Sequence, residues 1–138
     1  MPKQILSKNA LMILGQRYLK KNAKGIVIEK PEDMFSRVAK NVSLADTKYV
    51  YEKQISKFKK KHKKEFYEIT DTNEFKKLIS KDKEIKKTAE EFYSLMASLD
   101  FLPNSPTLLN AGRKLQQLSA CFVLPIEDDI DSIFKTLY

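Results

Sequence analysis

The chain has one cysteine, one histidine and three glycines among its 138 residues, and no long apolar run. Each scarcity removes a class of function. With Cys121 as the only thiol, neither an internal disulfide framework nor a cysteine-built zinc site can form within the chain, since both need at least two thiolates. A reducing compartment fits that usage. His62 stands between lysines with no companion ligand at metal spacing, so it is expected to be exposed and is assigned no metal and no acid–base role. Gly15, Gly25 and Gly112 are too scattered to make a glycine-rich phosphate loop. No stretch approaches the roughly 18–20 apolar residues of a membrane span, and the N-terminus lacks the apolar core and cleavage site of a signal peptide. The expectation is a cytoplasmic protein without membrane association.

What the chain has in excess is lysine. There are 26 basic against 18 acidic side chains, a formal charge of +8, and 42% hydrophobic residues, the profile of one small globular unit. The charge is uneven. Residues 1–100 carry 23 Lys and Arg against 14 Asp and Glu, whereas residues 101–138 carry 3 against 4. The chain therefore divides into a basic region, 1–100, and a neutral one, 101–138.

Helical spacing dominates the basic region. Ser7 precedes Ala10, Leu11, Leu14, Tyr18 and Leu19, a capped helix of about three turns. Residues 22–25 read as a turn, and Gly25-Ile26-Val27-Ile28-Glu29 as an extended segment. Pro31 suits a first helical position, Glu32 and Asp33 complement the N-terminal dipole, and Met34, Phe35, Val38 and Val42 form one stripe. A further helix is expected from Asp46 to about Lys64 with Val50, Tyr51, Ile55 and Phe58. Thr70-Asp71-Thr72-Asn73 is a break with a new cap. Phe75, Leu78 and Ile79, then Ile85, Ala89, Phe92, Met96 and Leu99, continue helically. The fold expected here is a small, mainly α domain.

Six of the eight residues from Lys57 to Lys64 are lysine. Lys59, Lys60, Lys61, Lys63 and Lys64, with His62, Phe66 and Tyr67, could hold nucleic-acid phosphates and stack bases. The plainer reading is a solvated helix face, and it is preferred: lysines offer point charges rather than the forked donors of arginine, and no recognition fingerprint accompanies them.

Beyond Asp100 the text changes. Residues 101–112 carry two prolines expected to forbid helix, with Ser105 and Thr107 two apart, so that on an extended backbone their hydroxyls share a side and could hold an anion. Spacing alone favours a simple capped turn. Leu118 to Pro125 reads as a buried strand containing Cys121. Glu127, Asp128, Asp129 and Asp131 open a helix whose apolar face is Ile130, Ile133, Phe134 and Leu137. The acids are better explained by capping than by a metal cluster, and Cys121 by spacing alone is a small hydrophobe. A two-turn helix with a bare apolar stripe calls for a continuation or a cover.

Phe-Leu-Pro-Asn-Ser-Pro-Thr-Leu-Leu-Asn-Ala-Gly at 101–112, followed by Leu-Ser-Ala-Cys-Phe-Val-Leu-Pro-Ile-Glu-Asp at 118–128, resembles the catalytic subunit of ribonucleotide reductase. Residues 6–11 and 30–39 resemble that family's N-terminal region, and the wording is most like its adenosylcobalamin-dependent class. The resemblance implies an N-terminal helical domain, 1–100, followed in 101–138 by the first strand and helix of a ten-stranded α/β barrel. It implies that Cys121 is one of the redox pair that reduces the ribose. Ser105 and Thr107 would belong to the loop holding substrate phosphates, Ala120 and Cys121 to the segment against the ribose, and Asp128, Asp129 and Ile130 to the allosteric specificity site. That site would take a deoxynucleotide triphosphate or ATP effector at a homodimer interface. Asp129 departs from the family, in which a small hydroxyl residue is common there, and it adds negative charge near the expected triphosphate.

Family chemistry begins with a thiyl radical and needs at least three cysteines, so the expectation is a split or truncated catalytic chain, inactive alone and completed by the remainder. Adenosylcobalamin would be the cofactor of the complete enzyme only. The alternative is a non-enzymatic basic helical module that binds nucleic acid through residues 53–87 and carries a reductase remnant. Binding that weakens steeply with salt, and depends on Lys59 to Lys64, would mark that alternative.

Overall fold

The computed structural model describes residues 6–64, 66–70 and 72–138, without the side chain of Tyr67. Local signals set most helix starts. Helix α1 (Lys8–Ile13) is capped by Ser7, whose Oγ accepts from the Ala10 amide at 3.2 Å, and it runs on as a π-helical turn over Leu14–Tyr18. The Asn22 side chain then accepts from the Lys24 and Ile26 amides at 3.0 Å each, closing a turn around Gly25 that lets Lys21 and Val27 form one antiparallel bridge. Helix α2 (Pro31–Ser43) starts with proline at its first position, where no intrahelical N–H is needed, and Asp33 accepts from the Lys30 amide at 3.1 Å.

The stripe read from the sequence is the one that packs. Met34, Phe35, Val38 and Ala39 of α2 are buried with Met96 of helix α7 (Lys83–Ala97), and Leu19, Leu108 and Ala111 complete this first core. A second, smaller core gathers Ile55, Ile69 and Phe75, with Phe66 set edge-on to Phe75 at 6.2 Å. It is built by α4 (Glu52–His62), α5 (Phe66–Ile69) and α6 (Asn73–Ile79). The α6 cap falls on Thr72, which accepts from the Phe75 amide; Asp71, another residue of that expected break, lies outside the described residues.

Three expectations are corrected. The single helix from Asp46 to Lys64 is broken at Tyr51, leaving α3 (Thr47–Val50) and α4. Its cause is tertiary. The Tyr51 hydroxyl donates to Asp82 Oδ2 at 2.6 Å, the same carboxylate that caps α7 through the Ile85 amide at 3.1 Å, so the Tyr51 backbone departs from helix to make the reach. That bond raises the Tyr51 pKa and lowers that of Asp82. Secondly, the loop at 101–112 contains a helix, α8 (Ser105–Asn110). Pro106 lies in its first turn, where a missing N–H costs nothing. Asn104 caps it.

Thirdly, the buried strand expected at 118–125 does not form: among the described residues this stretch has no ladder partner, and Phe122 and Val123 are exposed, Val123 almost fully. A parallel strand takes its stability from neighbours on both edges, and no residue described here offers an edge. The helix after it does form. Helix α9 (Ile130–Leu137) is capped by Asp129, and Ile130, Phe134 and Leu137 on its apolar face are all exposed.

Candidate functional site

The loop around α8 is fastened to the helical core by hydroxyl groups. Asn104 Oδ1 accepts from the Thr107 amide at 3.2 Å and lies 2.5 Å from the Thr107 hydroxyl, whose one proton it shares with the Leu118 carbonyl. The same hydroxyl lies 2.9 Å from the carbonyl oxygen of Leu118, which ties the helix to the segment leading into Cys121. Asn110 Nδ2 donates to the Gln117 carbonyl at 2.7 Å and closes the intervening turn. Ser105 remains exposed, with its Oγ 3.0 Å from the hydroxyl of Tyr18, which the π-helical turn delivers from the other end of the chain. The two hydroxyls read as equivalent in the sequence thus have different surroundings. Thr107 is buried and engaged, whereas Ser105 faces solvent.

Ala120 and Cys121 follow Leu118 on exposed backbone, and the Cys121 thiol is free. The structure joins Thr107 to the start of this segment through Leu118, whereas Ser105 meets Tyr18 instead. Asp128, Asp129 and Ile130 sit elsewhere, at the head of α9. Asp129 Oδ1 accepts from the Ser132 amide at 3.0 Å and the Ser132 Oγ accepts from the Glu127 amide at 2.9 Å, so capping employs the acidic run directly.

Beneath the loop lies a cluster that sequence reasoning missed. Glu29 and Arg37 form a buried pair, with Nε to Oε1 at 2.8 Å and Nη2 to Oε2 at 3.2 Å, their side chains 6% and 8% exposed. Arg37 also donates to the carbonyls of Leu108 and Ala111, clamping the end of α8. Arg113 approaches Glu29 Oε2 at 3.7 Å and donates to the Tyr18 carbonyl at 2.5 Å. Burial pushes the Glu29 pKa upward, but the Arg37 bonds and the Lys20 amide outweigh it and hold the carboxyl below its ordinary value. The only available signal was composition: Arg17, Arg37 and Arg113 are the arginines of a lysine-rich chain, and forked donors are what a buried carboxylate and two carbonyls require.

Gly112 completes the clamp. Its φ is +68°, and a Cβ there would meet Arg37 Cγ at 2.8 Å. Because Arg37 is held at both ends it cannot yield, so Gly112→Ala is expected to destabilise the fold by about 1–3 kcal/mol, read as a lowered midpoint in urea unfolding.

The lysine run presents less open surface than its sequence suggests. Lys61 and His62 both contact Glu74, at 2.6 and 2.9 Å, and hold its carboxyl below the ordinary range, Lys61 contributing more. His62, expected to be exposed, is partly buried by this contact. Lys48 sits 4.8 Å above the Phe66 ring, covering a face expected to be open for stacking, and the Tyr67 side chain lies outside the described residues. No helix is long and apolar enough to cross a membrane among the described residues.

Comparison with known proteins supplies what geometry alone does not. The family model described as ribonucleotide reductase, all-alpha domain, matches residues 5–116. The chain is similar to the vitamin B12-dependent ribonucleoside-diphosphate reductase of Thermoplasma acidophilum, with 40% identity over 96% of this chain and 20% of the relative. It is similar to the vitamin B12-dependent ribonucleoside-diphosphate reductase of Mycobacterium tuberculosis, with 33% identity over 96% of this chain and 15% of the relative. A shorter match, 48% identical over 36% of this chain and 6% of the relative, is to the ribonucleoside-diphosphate reductase large subunit of Danio rerio. The chain thus spans a fifth or less of the length of these curated relatives. No solved structure matches it.

Proposed function

This chain belongs to the ribonucleotide reductase family through its all-alpha domain, and on that premise we propose that it acts as the N-terminal part of a catalytic subunit reducing ribonucleotides to deoxyribonucleotides. Its residues would supply a substrate-phosphate loop, one redox thiol and part of an effector site. The observation that carries this reading is the 2.9 Å link from the Thr107 hydroxyl to the Leu118 carbonyl, which joins the hydroxyl-bearing loop to the free Cys121 segment. In this reading Ser105 binds phosphate and Thr107 sets the shape of the loop. Ala120 lies against the ribose, and Asp128, Asp129 and Ile130 meet a deoxynucleotide triphosphate or ATP at the interface of an assembled homodimer.

The reduction balances with Cys121 and a second thiol from the remainder of the catalytic chain. The ribose 2′ carbon loses its hydroxyl as water and gains hydrogen, while the two thiols give up two electrons and close a disulfide. The residues described here do not fit adenosylcobalamin. Four clefts among them hold about 210 to 510 Å³ each, the scale of ordinary drug-sized ligands and too small for a corrin with its nucleotide tail. The one imidazole, His62, is already bonded to Glu74. In this reading the cofactor carried in the relatives' names would be held by the remainder of the enzyme, and Cys121 and Ser105 act on the nucleotide alone.

The test is a graft. Residues 1–138 replace the equivalent segment of the Thermoplasma acidophilum reductase, and ribonucleotide reduction is assayed. The graft is expected to be active. In it Ser105→Ala should raise KM at least about tenfold, the cost of one hydrogen bond to a charged group. Thr107→Val should instead lower the melting temperature by leaving the Leu118 carbonyl without its partner. An inactive but folded graft, or a Ser105→Ala variant with unchanged KM, would refute the assignment.

A further inference from the structure

Tyr18 is held at three points. Its ring packs against the first core, its carbonyl accepts from Arg113 Nη2 at 2.5 Å, and its hydroxyl lies 3.0 Å from Ser105 Oγ, 87 positions along the chain. The residues that follow it are pinned as well. The Leu19 amide donates to the Leu14 carbonyl at 2.9 Å, the wide step that makes this turn π-helical, and the Lys20 amide donates to Glu29 Oε2 at 2.9 Å. Turns of this kind are rare and occur frequently at functional sites. A phenol anchored through ring and backbone presents its oxygen at one place, which is what a supporting hydrogen bond to a binding group requires.

The Tyr18 and Ser105 hydroxyls hold two protons between them, and the bond that joins them uses one. Neither hydroxyl has another partner among the described residues. The direction of that bond decides what Ser105 can offer. Were Ser105 the donor, its oxygen would show only lone pairs to a ligand, and a phosphate oxygen would be repelled. With Tyr18 as the donor, Ser105 keeps its own proton and can turn it outward. A phenol, whose lone pairs are drawn into the ring, is the stronger donor and the weaker acceptor of the two. Ser105 is also the exposed partner, whereas Tyr18 is half-buried. Both facts favour the second arrangement. A hydroxyl that accepts one hydrogen bond donates the next more strongly, because polarisation passes along the chain of bonds.

We infer that Tyr18 is a positioning residue for the substrate-phosphate loop: its hydroxyl donates to Ser105 Oγ and so directs the Ser105 proton to a phosphate oxygen of the nucleotide. The inference rests on the reading of Ser105 as a phosphate donor. In the Thermoplasma acidophilum graft, Tyr18→Phe, Ser105→Ala and the two together are compared with cytidine diphosphate as the probe. KM and kcat come from the reduction assay, the dissociation constant from calorimetry, and the fold is followed by melting temperature. Tyr18→Phe keeps the ring on the core, so the fold should hold. It is expected to raise KM and the dissociation constant about two- to tenfold, the worth of one neutral hydrogen bond, and to leave kcat unchanged. In the Ser105→Ala background the same change should have no further effect, the signature of a residue that acts through its neighbour. If Ser105→Ala weakens binding and Tyr18→Phe does not, the inference falls while the phosphate reading stands. If neither weakens it, both fall. An equal Tyr18→Phe effect with and without the Ser105 hydroxyl would show that the phenol acts on its own and would overturn the positioning role.

Discussion

Arg37→Ala is expected to cost about 3–5 kcal/mol of folding stability, the penalty for leaving a buried charge without its partner. The substitution removes more than one bond. Glu29 would keep only the Lys20 amide at 2.9 Å and the more distant Arg113, and the carbonyls of Leu108 and Ala111 would lose their donor. For a domain whose total stability is about 5–15 kcal/mol, the loss brings it near unfolding at ambient temperature. Urea or thermal unfolding reads it directly. Arg37→Lys should recover only part of the loss, because an ammonium cannot reach a carboxylate and two carbonyls in one plane. A double variant, Glu29→Gln with Arg37→Met, should cost less than the sum of the singles, as expected of a coupled pair.

The same cluster sets the acid side of the stability profile. Glu29 is held below its ordinary pKa in the folded chain, so its contribution is fully present above the unfolded value of about 4.5 and is lost as pH falls through the lower folded value. Stability should therefore decline on acidification below that range, and Glu29→Gln should flatten this part of the curve.

The elements legible from sequence were those whose causes are local. Ser7 caps α1, Pro31 with Glu32 and Asp33 opens α2, and the stripe of Met34, Phe35 and Val38 packs as its spacing requires. What escaped was decided across the chain. The break at Tyr51 depends on Asp82, thirty-one positions away, and the clamp joins Glu29 to Arg37 and Arg113. The proline loop is a different case, because its causes are local: Pro106 is compatible with the first turn of a helix, and Asn104 supplies the cap. The strand at 118–125 rests on composition, but a strand is a property of pairs, and Phe122, Val123 and Leu124 stand exposed with no ladder partner among the described residues. At the candidate site, motif wording pointed to Ser105, Thr107 and Cys121. It could not show that Thr107 is spent on Leu118, or that Tyr18 reaches Ser105.

Cys121 carries the second large effect. An oxygen in place of the sulfur nearly keeps the shape but cannot give up electrons by closing a disulfide, so Cys121→Ser should stop turnover while leaving nucleotide binding intact. The residue is exposed and its thiol is free among the described residues, so the change should not disturb the fold, and the lost activity can be assigned to chemistry. The measurement is ribonucleotide reduction by the Thermoplasma acidophilum graft with and without Cys121→Ser, alongside nucleotide affinity and melting temperature. Turnover abolished with affinity and melting temperature unchanged is the predicted result. A graft that still reduces ribonucleotides with serine at position 121 would contradict the claim that this thiol is half of the reducing pair.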